Sequence, residues 1–241
     1  MATDKQPVPS LSVWTRPRGK REQPALSQDR IVAEAIKLLD EAGIDALSMR
    51  SLGTRLGAGA TSLYRHVTNK DELIELVVDE IYGEMRVPAP GELGWREALA
   101  ESARSLRAVI LRHPWVASVL GQVGLVQLGP NLMRQSKAML DVLRGAGFPE
   151  TEYHQAVSTL TAYVIGIATS EAAYLSLLAR SGMSEEALAR AIHSAAAQAS
   201  LEAQELHGSI REGLDDPRRL REEQFTYGLE RLLDGLESRL A

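Results

Sequence analysis

Apolar residues recur at helical spacing along most of this chain. Ile31, Ala35, Leu38, Leu39 and Ala42 fall at i, i+4, i+7, i+8 and i+11, which predicts a helix with one buried face. Ser27 caps it, Asp29 favours its first turn and Gly43 ends it. Met49, Leu52 and Leu56 predict a second helix over residues 49–56, capped by Ser48 and closed by Gly57. Ala60, Leu63 and Val67 share one face of a third over residues 60–67, entered through Gly59. Leu73, Ile74, Val77, Ile81 and Met85 form a broad stripe on a fourth, from about residue 69 to 85. A helix apolar over more than one face must pack on two sides, here the head before it and the body after it. Pro88, Pro90 and Gly91 stop it and mark a boundary.

The remainder reads as helices too. Trp95, Leu99, Leu106 and Ile110 line residues 95–112, which His113-Pro114 interrupts. A short piece follows over 115–120, then a glycine-spaced stretch, 122–129, that reads as a pocket wall or rim. Pro130 opens a helix over 130–144 that Gly145 and Gly147 end, and Pro149 opens the longest pattern, to about 180. Ser184 caps an alanine-rich helix to about 206, and after a turn over 208–216 Pro217 opens the last, ending at 240. The predicted fold class is all-α. An extended arm (1–26) leads into a three-helix head with a helix-turn-helix (27–86), joined to a larger helical body (87–241).

Composition narrows the function. The chain has 241 residues, 44% of them hydrophobic, which is ample for a core. It has no cysteine, which rules out disulfides and thiolate metal sites and fits a reducing cytoplasm. No uninterrupted apolar run long enough for a membrane span is visible, and the N-terminus has no signal-peptide core, so no membrane partner is expected. The five histidines are isolated, and no HExxH or glycine-rich phosphate loop occurs. An enzyme, a bound cofactor and a metal are therefore not expected. The net charge of −5 splits unevenly: residues 10–70 carry +4 and residues 71–241 carry −9. The basic part coincides with the helix-turn-helix, and the acidic remainder discourages non-specific wrapping of DNA.

Residues 48–70, SMRSLGTRLGAGATSLYRHVTNK, carry the chemistry. The third helix, anchored by Ala60, Leu63 and Val67, turns Thr61, Ser62 and Arg65 outward, flanked by Tyr64 and His66. Hydroxyls, a guanidinium and an imidazole suit base edges and phosphates. Ser48, Arg50, Gly59 and Ala60 complete the expected DNA surface, and Lys70 opens the next helix where its charge and the N-terminal amides both face a phosphate. Arg16, Arg18, Lys20 and Arg21 in the proline-containing arm suit a minor groove or phosphates, against the plainer alternative of a solubilising tail.

The order LGAGATSLYRHVTNKDEL resembles the DNA-binding domain of the TetR family of transcriptional regulators. Gly59 departs from it, standing where the family often has Ser or Thr. LSVWTRPRGK resembles N-terminal extensions of members that govern antibiotic exporters, and FTYGLERLLDGLESRL resembles the C-terminal helix of the tetracycline repressor. The resemblance implies a homodimer that binds a palindromic operator, represses transcription and is released by a small molecule. It implies a dimer interface at Phe225, Gly228, Leu229, Leu232, Gly235 and Leu236. Ligand contacts are expected among Arg104, His113, Trp115, Gln122, Gln127, Asn131, Gln135, Tyr163, Glu171 and Tyr174. Tyr163, Glu171 and Tyr174 share one helix face. The stretch matching the tetracycline–metal site has no His, and Glu171 is one residue out of step, so neither tetracycline nor magnesium is expected. The alternatives are a constitutive architectural DNA binder, which has no need of so large a body, and a helical enzyme in which the packing of helices brings a His/Glu acid–base pair together.

Overall fold

The computed structural model describes residues 26–123, 129–199 and 216–240, and among these it is helical with no strand. The head comprises α1 (Gln28–Ala42), α2 (Met49–Leu56), α3 (Ala60–Leu63) and α4 (Lys70–Gly83). The body comprises α5 (Trp95–Arg112), α6 (Val116–Val123), α7 (Pro130–Gly145), α8 (Tyr153–Ser181), α9 (Glu185–Ala199) and α10 (Pro217–Glu237). One hydrophobic core runs through both parts.

The caps explain the boundaries. Ser27 accepts from the Arg30 amide and Ser184 from the Ala187 amide. Ser48 accepts from the Ser51 amide while Ser51 accepts from the Ser48 amide, a reciprocal box that pins the start of α2. Gly57 ends α2 at φ 63°, a left-handed position open to glycine. Gly53 permits the tight turn itself: a Cβ there would lie 2.7 Å from the Ala58 carbonyl oxygen. The third helix is shorter than expected. It stops at Leu63, and residues 64–66 continue as turn. Val67 still reaches the core, 1% exposed, so the anchoring face survives where the helix does not.

Arg55 on α2 ties the head together. It donates to Glu34 at 2.8 Å and to Glu41 at 2.6 Å, both on α1. These hydrogen bonds hold both carboxyls below the usual carboxylate range.

In the body, α8 packs against α5, α7 and α10. By length and composition Glu150–Ser181 is apolar enough to cross a membrane, which the sequence reading did not anticipate. Much of its apolar surface is uncovered in a single chain: Ala162, Gly166, Ala173 and Leu177 are exposed along one side. Its other side carries Glu171, buried and paired with two guanidiniums.

Replacing Gly53 by Ala tests the turn. Alanine favours a helix by about 1 kcal/mol, but the clash is with backbone and cannot relax cheaply. Net destabilisation of about 1–2 kcal/mol is expected, read as a lower urea midpoint. An unchanged or raised midpoint would refute the close approach.

Candidate nucleic-acid interface and effector cavities

Thr61, Tyr64 and Arg65 are exposed, with Tyr64 51% accessible, while Ser62, His66 and Lys70 are half-buried. Ser48, Arg50, Gly59 and Ala60 are exposed beside them. Leu63, fully buried, fixes which side of α3 faces inward. Gln28 at the start of α1 donates to the His66 carbonyl at 3.2 Å, so the end of the reading turn rests on α1. Asn69 then caps α4, accepting from the Glu72 amide at 2.7 Å, while Glu72 accepts from the Thr68 amide at 3.1 Å. The reading turn and α4 are therefore joined without slack. Arg16, Arg18, Lys20 and Arg21 lie outside the described residues.

Where α4 meets the body, two helices cap each other. Asp79, on α4 and 4% exposed, accepts from the Asn131 and Leu132 amides at 3.2 and 3.0 Å, capping α7. Gln135, on α7 and 6% exposed, donates from Nε2 to the carbonyls of Tyr82 and Met85, at 3.3 and 2.6 Å. That satisfies the C-terminal end of α4. Sequence reasoning missed Asp79. The signal was there: Gly129-Pro130 opens α7 with no capping side chain of its own, so the cap must come from another element.

A second joint binds α1. Asp40 accepts from the Trp115 indole N–H at 2.7 Å and meets His113 Nδ1 at 2.7 Å. Glu84 faces His113 Nε2 at 3.2 Å and pairs with Arg112. His113 and Trp115, expected to touch ligand, instead hold the head to the body.

The body contains separate cavities. One, of about 360 Å³, lies beneath the end of α4, between α5, α7 and α8. Tyr82 and Met85, at the end of α4, form one side, Gln135 stands on its α7 side, and His154, Ser158 and Thr161 form its polar wall on α8. Burial pushes the Tyr82 phenol above its ordinary pKa. Gln135 was expected there; His154, Ser158 and Thr161 were not, because nothing in the spacing tells which side of α8 is hollow. Another, of about 350 Å³, lies between α8, α9 and α10 and includes Glu171 and Tyr174.

The remaining expected residues fall elsewhere. Arg104 is exposed and pairs with Glu97 at 2.8 Å and Glu101 at 3.6 Å, a correction to its expected inward position. The inward arginine, one turn later, is Arg107. It grips Glu171 through two hydrogen bonds of 2.8 and 3.0 Å. Asn131 packs its side chain against Gly83 on α4. Gln122 lies on α6, where its side chain is not described, and Gln127 lies outside the described residues. Tyr163 donates to the Phe225 carbonyl at 2.7 Å and stacks on the Phe225 ring.

That contact corrects the interface expectation. Phe225 and Leu229 are each 1% exposed within the single chain, so they are core. Gly228 leaves room for Tyr163 of its own chain, where a Cβ would overlap the ring and hydroxyl. Leu232 and Leu236 are half-buried against the same core, and Gly235 alone faces open space.

The match to known families decides what this architecture is. The family described as Tetracyclin repressor-like, C-terminal domain matches residues 87–240, and Bacterial regulatory proteins, tetR family matches residues 31–77. This chain belongs to the TetR family. It is accordingly a transcriptional regulator and not an enzyme. An HTH-type transcriptional regulator of Saccharopolyspora erythraea is 39% identical over 164 residues, 68% of this chain and 69% of that protein. The HTH-type transcriptional repressor DrrR1 of Streptomyces coeruleorubidus is 33% identical over 220 residues, 89% of this chain and 78% of its own. The TetR family protein ActR of Streptomyces coelicolor, solved with actinorhodin, is 30% identical with a TM-score of 0.69, covering 88% of this chain and 96% of ActR.

Replacing Gln135 by Leu keeps the volume but strands two buried carbonyls. A loss of about 1–3 kcal/mol in urea unfolding is expected, with helicity unchanged. Wild-type stability would show that Gln135 is not the cap of α4.

Proposed function

We propose that this chain is a homodimeric repressor that binds a two-fold operator and leaves it when a small molecule fills the cavity beneath α4. One observation carries this reading: Gln135 is at once a wall of that cavity and the cap of α4. A ligand that takes the Gln135 amide, or crowds Tyr82 and Met85, releases the end of the helix that leads straight into the reading turn. The displaced α4 changes the separation of the two reading heads, and they cease to fit one helical turn of DNA apart. To reverse occupancy from 99:1 to 1:99, the ligand must prefer the released form by roughly 5.5 kcal/mol. A cavity of about 360 Å³ suits a small organic molecule. The complex of ActR with actinorhodin supports an organic effector of this kind. The resemblance of the N-terminal arm to exporter regulators supports an efflux or resistance gene as target.

The dimer surface we assign is the uncovered side of α8. Ala162, Gly166, Ala173 and Leu177 repeat at four and seven residues and form one apolar stripe. Small residues let two helices approach closely, and an apolar stripe of this length calls for a partner. Ala173→Arg is expected to convert the dimer to monomer in analytical ultracentrifugation without loss of helicity. A persistent dimer would move the interface elsewhere.

The reading head is tested on DNA flanking its own gene, by gel shift with unrelated competitor. A discrete, competitor-resistant shift is expected. Arg65→Ala should relax preference at one base position, by about 1–3 kcal/mol. Lys70→Ala should weaken binding to all sequences alike and shallow the salt dependence. Deleting residues 1–22 should also lower affinity and shallow that slope. Unchanged binding and slope in the two point variants would remove α3 and Lys70 from the interface.

A further inference from the structure

His113 ends α5, is 4% exposed, and turns each ring nitrogen to a carboxylate from a different element. Nδ1 lies 2.7 Å from Asp40 Oδ1, on α1. Nε2 lies 3.2 and 3.3 Å from the two oxygens of Glu84, the residue that ends α4. A neutral imidazole has one N–H and one lone pair. Placed here, it would aim that lone pair at a carboxylate, in a site largely withdrawn from water. Only a ring protonated on both nitrogens donates to both partners.

The charges around the ring agree with this. Asp40 and Glu84 bring two negative charges, and Arg112, the last residue of α5, brings one positive charge through its pair with Glu84. Trp115 adds an uncharged donor, whose indole N–H goes to the same Asp40 oxygen that faces Nδ1. Lys37, one turn before Asp40, pairs with Glu34 instead. One negative charge is therefore unmatched until His113 carries its second proton. We propose that His113 is a proton-operated latch on the end of α4, closed when the ring holds both protons and opened when Nε2 gives its proton up, so that operator binding weakens as pH rises. The Nδ1 bond is the shorter, so Nε2 is the nitrogen that lets go. Glu84 then keeps Arg112 alone, and the end of α4 loses its tie to the ring. The folded chain favours the second proton, so its contribution to stability is present at low pH and fades as pH rises. That a loosened α4 weakens operator binding rests on the lever movement proposed above.

The full-length protein is labelled with 15N-histidine, and its ring nitrogens are followed by NMR across about pH 5–8, where histidines ordinarily change charge, and above it. His113 is assigned through its contact with the Trp115 indole, whose ring centre is 6.2 Å away. Both nitrogens should carry protons at the acid end, and Nε2 alone should lose its proton as pH rises. Urea unfolding of the wild type and of His113→Gln is measured over the same range. Glutamine does not titrate, so the difference isolates this ring from His66, His154, His193 and His207. The wild type should lose about tenfold in its folding constant relative to the variant as pH rises. Its operator affinity, by gel shift, should fall about fivefold more than the variant's. A ring whose proton count never changes, or parallel unfolding profiles, would overturn the latch. Parallel operator profiles beside a titrating ring would overturn its control of DNA binding. Absence of operator binding at every pH would instead sink the repressor reading, and the ring and unfolding data would still decide the latch. Should His113→Gln fail to fold, Glu84→Gln takes its place. It removes the charge facing Nε2, so the ring should give up its second proton at lower pH than in the wild type, and an unchanged titration would overturn the proposal.

Discussion

The structure depends on α4 and α7 capping each other. A helix end buried in a core leaves backbone amides or carbonyls that must find partners. Here each helix supplies the other's. Asp79 on α4 satisfies the start of α7, and Gln135 on α7 satisfies the end of α4. The two side chains act at different ends of one contact, so α4 can neither slide nor rotate against α7 without stranding buried polar groups. Each stranded group costs about 1–3 kcal/mol. The other end of α4 is tied to the reading turn by the Asn69 cap and by the bond from the Thr68 amide to Glu72. Fourteen residues of helix span roughly 20 Å at 1.5 Å per residue. Movement at the body end is thus carried rigidly to the DNA-facing end. The second joint, Asp40 with Trp115 and His113, holds α1 to the body and gives the head a fixed pivot beside that lever.

Much of this frame was legible in the sequence, because helical periodicity and capping residues are local signals. The bounds of α2 and α5 follow directly from Ser48, Gly57, Trp95 and the His113-Pro114 break. The inward position of Leu63 and Val67 followed from spacing alone, and with it the outward position of Thr61 and Arg65. What the sequence did not carry is which neighbour covers a given face. Phe225, Leu229 and Gly228 form an apolar stripe that fits a partner subunit or an internal helix equally well, and Tyr163 of the same chain takes it. Arg104 and Arg107 differ by less than one turn, yet one is solvated and the other buried. A few tens of degrees of helix rotation separate those outcomes, and periodicity does not resolve them when both positions are charged.

Charge is deployed differently in the two parts. In the head, Arg55 and its glutamates are partly solvated and tie α2 to α1 at modest energetic gain. In the body, Arg107, Glu171 and Arg221 are largely withdrawn from water. Desolvation of such a group is expensive, and an apolar replacement of equal volume is often no less stable. The benefit is positional. The apolar side of α8 offers Val164, Ala168 and Ala172, which would pack acceptably in several registers against α5 and α10. The bidentate grip of Arg107 on Glu171 has one register only, because a shift of a single turn takes Glu171 away from both of its guanidiniums and leaves its charge buried and unpaired.

That registration matters for both cavities. Glu171 lies on the same helix as Thr161 and Ser158, which wall the cavity beneath α4, and as Tyr174, which walls the other. Fixing α8 along its axis fixes the polar groups of both at once. It leaves the opposite side of α8, with exposed Gly166, Ala173 and Leu177, outside both cavities. One helix thus divides its surface three ways: an ion-paired face that sets register, hollow faces that hold ligand-sized space, and an uncovered face, the one proposed above for a second copy. The apolar composition that makes Glu150–Ser181 long and apolar enough to cross a membrane is the composition this division demands.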